Sequence, residues 1–356
     1  MDGMLKKMNK NTKSNLITYG MVIVAFIIMQ TLIATGSISS LLEGIMVPIC
    51  IYVIMAVSLN LVVGILGELS LGHAGFMCVG AFSSAFFSKC MKDVIENGAL
   101  RFFLAMLIGI AVAAVFGIII GVPVLRLKGD YLAIVTLAFG EIIKNLVNVL
   151  FIGKDSNGFH FSTEDVMGLN MEPDGTVIVN GPQGITGTPQ DSTFLIGFIM
   201  ILITLFIVLN LINSRDGRAI MAIRDNRIAA ESVGINITKY KLMAFTVSAA
   251  LAGGAGVLYA HNLSTLTANT NNFGYNQSIM ILVFVVLGGI GNVRGSIIAA
   301  VILTLLPELL RDLQDYRMLI YAIVLIAMML FNWAPKAIEW REKHLSFFRK
   351  KKEAVK

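Results

Sequence analysis

Residues 214–241 read SRDGRAIMAIRDNRIAAESVGINITKYK, and how this stretch is read decides the fold. It is the only long basic, polar segment inside a chain that is otherwise mostly greasy spans. Asn226 is placed to cap a helix start, because its side-chain oxygen can accept from the free N–H groups of the first turn. Gly234 can end that helix at no steric cost. Between them Ala229, Ala230 and Val233 form a small-residue face that the groove of another protein can approach closely. Arg224, Asp225, Arg227 and Glu231 ring that face with charge. Two readings compete: a solvated loop that only sets topology, and a short helix made to be held by something else.

Working outward, composition excludes a water-soluble domain. The 356 residues are 56% hydrophobic and only 14% charged, with a mean hydropathy of +0.79, which overrides the two or three soluble domains that length alone allows. Apolar runs of about 18 or more residues recur, each enough to cross roughly 30 Å of hydrocarbon. The net charge of +6 sits beside those runs, so it reads as topology and not as a nucleic-acid surface. Three cysteines, with Cys50 and Cys78 inside apolar runs, supply neither a disulfide framework nor metal spacing.

Upstream, Lys6, Lys7, Lys10 and Lys13 precede an apolar run at about 16–35. It is long for a signal peptide and lacks a small-x-small cleavage site, so it is expected to be an uncleaved first span. Further spans are expected at about 45–66, with Pro48 and Gly64 inside, at about 69–87, and at about 102–124. After a basic turn, Asp130 is the expected cap of a fifth span reaching about 152. Residues 153–191 hold no span, carry six acidic residues against one Lys, and form a loop that needs water. Beyond the opening segment lie spans at about 193–213, 240–261, 277–291, 296–310 and 318–333, then a tail with Lys350, Lys351 and Lys352.

The result is an all-α, polytopic membrane fold of about ten helices in one transmembrane domain, residues 1–356. Ten spans put both termini on one side, and 21 of the 28 Lys and Arg fall on that side, the excess expected of the cytoplasmic face. Residues 153–191 are then extracytoplasmic and 214–239 cytoplasmic, in the plasma membrane. The third and ninth spans, short and glycine-flanked, can also be re-entrant. Five spans per half would relate the halves by inversion, as in transporters built from inverted repeats. Glycine-rich turns join spans two to three and eight to nine, both near the inner face.

Chemistry is sparse. No phosphate-cradling G-x-x-x-x-G-K-[ST] loop occurs, and the glycines at 288–295 lack its ending. Gly253 to Gly256 follow a helical run and not a strand, so a dinucleotide reading fails. The four histidines, His73, His160, His261 and His344, have no ligand spacing, so no metal, cofactor or catalysis is expected. If transport is driven, its energy must come from another chain or from an ion gradient. Glu141 sits within the fifth span with Lys144 one turn away; it is either a self-neutralising pair that fixes packing or a pathway group. Glu68 precedes Leu69-Ser70-Leu71-Gly72-His73-Ala74-Gly75, where glycines permit close helix approach and free backbone groups. Glu68, Ser70, Gly72, His73, Thr136 and Glu141 are the candidate pathway residues. Gly117 and Gly121 form a small-xxx-small face suited to packing.

The segment Ala229-Ala230-Glu231-Ser232-Val233-Gly234 resembles the coupling motif of ABC-importer permeases, Glu-Ala-Ala, three residues, then Gly; Ile228 stands where that motif has its Glu. With KLMAFTVSAALAGGAGVLYA at 241–260, LSLGHAGF at 69–76, LRLKGDYLAIVTLAFGEI at 125–142, GPQGITGTP at 181–189 and VVLGGIGNVRGSIIAA at 285–300, most of the chain resembles the branched-chain amino acid permease family, LivM type. The polar stretch near 155–180 looks longer than usual for that family. The resemblance implies a permease paired with a sister permease, two cytoplasmic ATP-binding subunits that meet Arg224, Asp225, Arg227, Ala229, Ala230, Glu231 and Gly234, and an external solute-binding protein delivering leucine, isoleucine or valine. An ion-coupled secondary transporter or channel for small apolar solutes is the alternative, separated by whether uptake survives loss of ATP. An intramembrane enzyme would need acid, base or metal groups that are not found.

Overall fold

The computed structural model describes residues 10–333, apart from 37–38, 93, 128, 174 and 312–315. Lys6, Lys7 and Lys350 to Lys352, on which the sidedness of the termini leans, lie outside the described residues. The chain is mostly helical. Helices α1 (Lys10–Ala34), α2 (Ser40–Asn60, extended by a π-helical turn Leu61–Leu66), α3 (His73–Cys90), α4 (Gly98–Val124) and α5 (Asp130–Val149) come first. After an extended region follow α6 (Phe194–Asn213), α7 (Arg215–Asp225), α8 (Arg227–Ser232), α9 (Ile237–Ala260), the single turn α10 (Thr270–Phe273), α11 (Tyr275–Gly288), α12 (Val293–Leu309) and α13 (Arg317–Trp333). Six of them, α1, α2 with its π turn, α4, α5, α6 and α9, are long and apolar enough to cross a membrane.

The apolar stretch of α2 is buried almost throughout. A helix hydrophobic all round belongs inside, and this one is the axis of the bundle. Against it lies α9, whose small residues let backbones meet. A Cβ at Gly253 would strike Ala113, one at Gly80 would strike the Gly253 backbone, and one at Gly117 would come 2.7 Å from Ala249 Cβ. The glycine pairs of α4 and the run 249–256 of α9 are therefore packing devices, since close approach replaces the missing hydrophobic drive between helices in lipid.

Two expectations need correction. The chain is not all-α, because residues within 153–191 build structure of their own. Strands β1 (Phe151–Asp155), β2 (Gly158–Ser162) and β3 (Thr176–Asn180) form an antiparallel sheet in the order β2-β1-β3, and β4 (Ile185–Thr186) pairs with β5 (Thr265–Leu266). The alternating apolar residues Phe159, Phe161, Val177 and Val179 carry that pattern, masked in a sequence pass by the surrounding Asn, Asp and Gly. The cap of α5 is Gly129, at φ +59°, with no side-chain bond, and Asp130 is already inside the helix.

The hairpin turn at Ser156–Asn157 is held by Asp155. Its Oδ1 accepts from the N–H of Asn157 at 2.8 Å and of Gly158 at 3.1 Å, and its Oδ2 lies 2.9 Å from His160 Nε2. Burial pulls this carboxyl upward, but the N–H groups of Asn157 and Glu172 and the His160 ring together hold it below its ordinary value. The sheet begins two residues after α5 ends, and the α7–α8 segment begins directly after α6. Residue 180 and residue 226 are thus separated along the chain by α6, whose 20 residues span about 30 Å.

Candidate functional site

The 214–241 segment is two helices and not one. Ser214 Oγ accepts from the Gly217 N–H and starts α7; Asp216 in its first turn and Arg224 in its last suit the helix dipole. Asn226 Oδ1 accepts from the Ala229 N–H at 3.0 Å and starts α8. Gly234 then turns the chain with φ +84°, a backbone that L side chains rarely adopt. Both expected punctuation marks are where the sequence puts them.

The small-residue face divides. Ala230 is buried against Ile223 and Ile237 in a satellite apolar cluster, whereas Ala229, Glu231 and Val233 face outward and Ile228 is 81% exposed. Six residues make fewer than two turns, so adjacent alanines necessarily point to different sides. Arg224 does not merely ring the outer face. Its Nη1 donates to the Gly64 carbonyl at 3.0 Å, its Nη2 pairs with Asp225 at 2.9 Å, and its side chain lies over Gly67.

That contact leads inward. Gly64 belongs to the π turn ending α2, where the wider helix leaves carbonyls free for other donors. A Cβ at Gly64 would collide with the Gly291 backbone and with Asn60 Oδ1. The same Asn60 oxygen accepts from the Gly291 N–H at 2.9 Å, and its Nδ2 donates to Ser296 Oγ at 3.1 Å. The π turn ending α2 and the glycine-rich turn at 288–295 therefore touch, bridged by one fully buried amide. Sequence reading passed over Asn60, although a polar residue within an apolar run is the expected sign of such a bridge.

Glu68 pairs with Lys241 at the start of α9. With Gly129, Arg224 and Arg227 they line a cavity of about 220 Å³. Among the described residues, Glu68 is the one carboxylate lining it. Lys241 was not anticipated as its partner.

Between Gly67 and Gly72 the backbone is not helical. Non-helical backbone at this depth needs partners inside the protein. The Leu71 N–H donates to Thr136 Oγ1 at 3.0 Å and the Ala74 N–H to Ser278 Oγ at 3.1 Å. A Cβ at Gly72 would collide with the Thr136 carbonyl. His73 is buried, its Nε2 lying 2.7 Å from Ser58 Oγ. Among the described residues Ser70 Oγ is buried without a hydrogen-bond partner, and the Gln277 side chain reaches the Tyr52 hydroxyl. Ser70, Gly72, His73 and Thr136 are thus brought together, joined by Ser278 and Gln277, which the sequence did not single out.

Glu141 stands apart from Glu68. It pairs with Lys144, as the helical spacing predicts, and Lys144 Nζ also donates to Thr270 Oγ1 at 3.1 Å. Glu141 Oε1 accepts from the Tyr275 N–H at 2.8 Å, so this carboxylate meets the positive end of α11. The pair ties α5 to the start of α11, in keeping with the packing reading. Among the described residues, no three His, Cys, Asp or Glu side chains are grouped so as to hold a metal ion.

Comparison with known proteins agrees with this architecture. Residues 41–331 match the model of a family described as branched-chain amino acid transport system / permease component. The chain is 35% identical over 297 residues to the high-affinity branched-chain amino acid transport permease LivM of Salmonella typhimurium, covering 81% of this chain and 67% of that one. It is 25% identical to a probable LivM permease of Methanocaldococcus jannaschii, over 75% of this chain and 80% of that one. It is 26% identical to the fructose import permease FruG of Bifidobacterium longum, over 61% and 62% of the two chains. No solved structure matches.

Proposed function

The chain belongs to the branched-chain amino acid transport permease family, and on that premise we propose that it forms part of the membrane path of an importer for leucine, isoleucine and valine. As a member of that family it is the permease subunit of an ABC importer, and ATP hydrolysis is carried by separate subunits. This membership favours the importer over the ion-coupled alternative. The likeness to a fructose permease is lower, so the substrate assignment rests on the LivM relatives.

The finer reading is mechanical. Two cytoplasmic ATPases grip the outward side of α8, Ile228, Ala229, Glu231 and Val233, with Gly234 setting its angle. A sister permease completes the path, and an external binding protein docks over the 153–191 region, on the face opposite α7 and α8. Ten spans with both termini inside give that sidedness, and five per half would make the halves inverted. The supporting observation is the unbroken chain of contacts from α7 to the bundle interior: Arg224 on the Gly64 carbonyl, Gly64 against Gly291, and Asn60 across both. Movement of α7 and α8 shifts the point where the π turn of α2 meets the glycine-rich turn at 288–295. Ser70, whose buried hydroxyl has no partner among the described residues, belongs with Gln277 to the wall past which polar groups of a substrate travel, with Thr136, His73 and Gly72 beside them; Glu68 closes its inner end.

The test is uptake of labelled leucine, isoleucine and valine in proteoliposomes holding the assembled importer. Gly234→Pro or Ala229→Trp should abolish uptake while the protein still inserts, and normal uptake by either removes α8 from the mechanism. Cross-linking from Ile228 or Val233, both exposed, should capture an ATPase subunit. Uptake that persists after ATP depletion would favour the ion-coupled reading. Cysteines at positions 180 and 226 should label from opposite sides of the membrane.

A further inference from the structure

The sheet that interrupts the helices has two unlike faces. Register places Ile152 opposite Phe161 and Lys154 opposite Phe159, and directly opposed residues of an antiparallel pair point the same way. Val179 of β3 lies opposite Ile152 and joins this face. The other face carries Gly153, where a Cβ would collide with Met171 and meet Leu169 Cδ1 at 3.4 Å. Segment 167–171 therefore covers that second face, and it is flanked by the exposed acids Glu164, Asp165 and Glu172.

The first face is covered over β1 and β3, where Ile152 and Val179 are buried, and is open along the edge strand β2, where Phe159 and Phe161 are exposed. Phe159 stacks on Phe86 near the end of α3 with ring centroids 5.9 Å apart, and Lys89 of α3 donates to the Val177 carbonyl at 2.8 Å. This face is thus turned back toward the ends of the bundle. Phe161 extends beyond it, 65% exposed. Leu146 and Val149, exposed on the last turns of α5, lead into β1, whose Ile152 stands opposite Phe161. Lys154 lies on this face with Nζ 6.0 Å from the Phe159 ring centre. Aromatic rings and snorkelling lysines are the residues that settle at the headgroup level.

We infer that the sheet rides on the bilayer surface, with Phe159 and Phe161 set in the boundary between headgroups and acyl chains and Lys154 at lipid phosphate. The charge division fits this placement: the cation is on the apolar side and the carboxylates are on the covered side, toward water. Lipid then fixes the angle of the sheet, while the acidic cover remains free for a protein partner. The inference rests on the membrane-protein reading, but not on which side of the membrane the sheet occupies.

The test uses the full-length chain with both native tryptophans replaced, Trp333→Phe and Trp340→Phe, and one probe added. Phe161→Trp and Phe159→Trp place it on the apolar face; Met167→Trp, at a site 87% exposed, places it on the covering segment. In bilayers carrying brominated acyl chains in both leaflets, fluorescence from the Phe161→Trp protein should be quenched several-fold more than from Met167→Trp. Iodide present on both sides should show the reverse order. Strong iodide and weak bromine quenching at both face positions would overturn the inference. So would iodide protection that arises only when a binding protein is added, which would make this face a protein-docking surface. Because both quenchers reach both sides, inverted topology leaves the outcome unchanged, so it cannot be confused with failure of the lipid contact.

Discussion

Replacing Glu68 by Gln removes the only carboxylate from the lining of a cavity of about 220 Å³ that also holds Arg224, Arg227 and Lys241. Lys241, whose side chain is 4% exposed against 15% for Glu68, is then a buried cation facing two guanidinium groups. Removing one member of a buried ion pair costs about 3–5 kcal/mol, because the survivor keeps its desolvation penalty. Lys241→Met is milder. It leaves Glu68 in a cavity that Arg224 and Arg227 also line, so a substitute partner is at hand and about 1–2 kcal/mol is expected to be lost. The double variant Glu68→Leu/Lys241→Met removes both members of the pair together and should return to within about 1 kcal/mol of the parent. At about 2 °C per kcal/mol, thermal unfolding in detergent should fall by about 6–10 °C for Glu68→Gln and by about 2–4 °C for Lys241→Met. Both single variants should also transport less, since the pair joins the π turn of α2 to α9. Equal losses for the two, or a double variant less stable than Glu68→Gln, would refute the reasoning.

Gly64→Ala drives a methyl into Gly291 and Asn60; overpacking of this kind costs about 1–3 kcal/mol, and uptake should fall to background with normal insertion. Asn226→Ala removes the bond to the Ala229 N–H and should cost about 1 kcal/mol at the start of α8, read as lower ATP-driven uptake with little change in thermal midpoint. The depressed Asp155 predicts a pH response: its contribution is fully present above the unfolded carboxylate range, about 3.9, and is lost as pH falls through the lower folded value. Limited proteolysis within 151–180 should therefore accelerate in strong acid, and Asp155→Asn should flatten that response.

Much was legible before any fold was known, where the signal is local. Asn226 and Gly234 act on backbone groups within four residues, so their roles can be read from spacing alone. Apolar runs likewise announce helices by their own length, and the six described helices long and apolar enough to cross a membrane lie close to expected spans. Glu141 and Lys144, three apart on one helix, pair as helical geometry requires. The family motifs, too, are contiguous strings.

What the sequence could not decide lies between distant segments. The Glu68–Lys241 pair joins residues 173 apart and the Asn60–Gly291 bond residues 231 apart, and no periodicity encodes such partners. Whether Ala230 faces a partner or the bundle depends on where Ile223 and Ile237 come to rest. The sheet of β1 to β3 was hidden because its strands are five residues each, too short for hydropathy averaged over a membrane span to register. Local hydrogen bonding and hydropathy determine the elements, whereas only the packed chain determines which buried charge, amide or glycine each element meets.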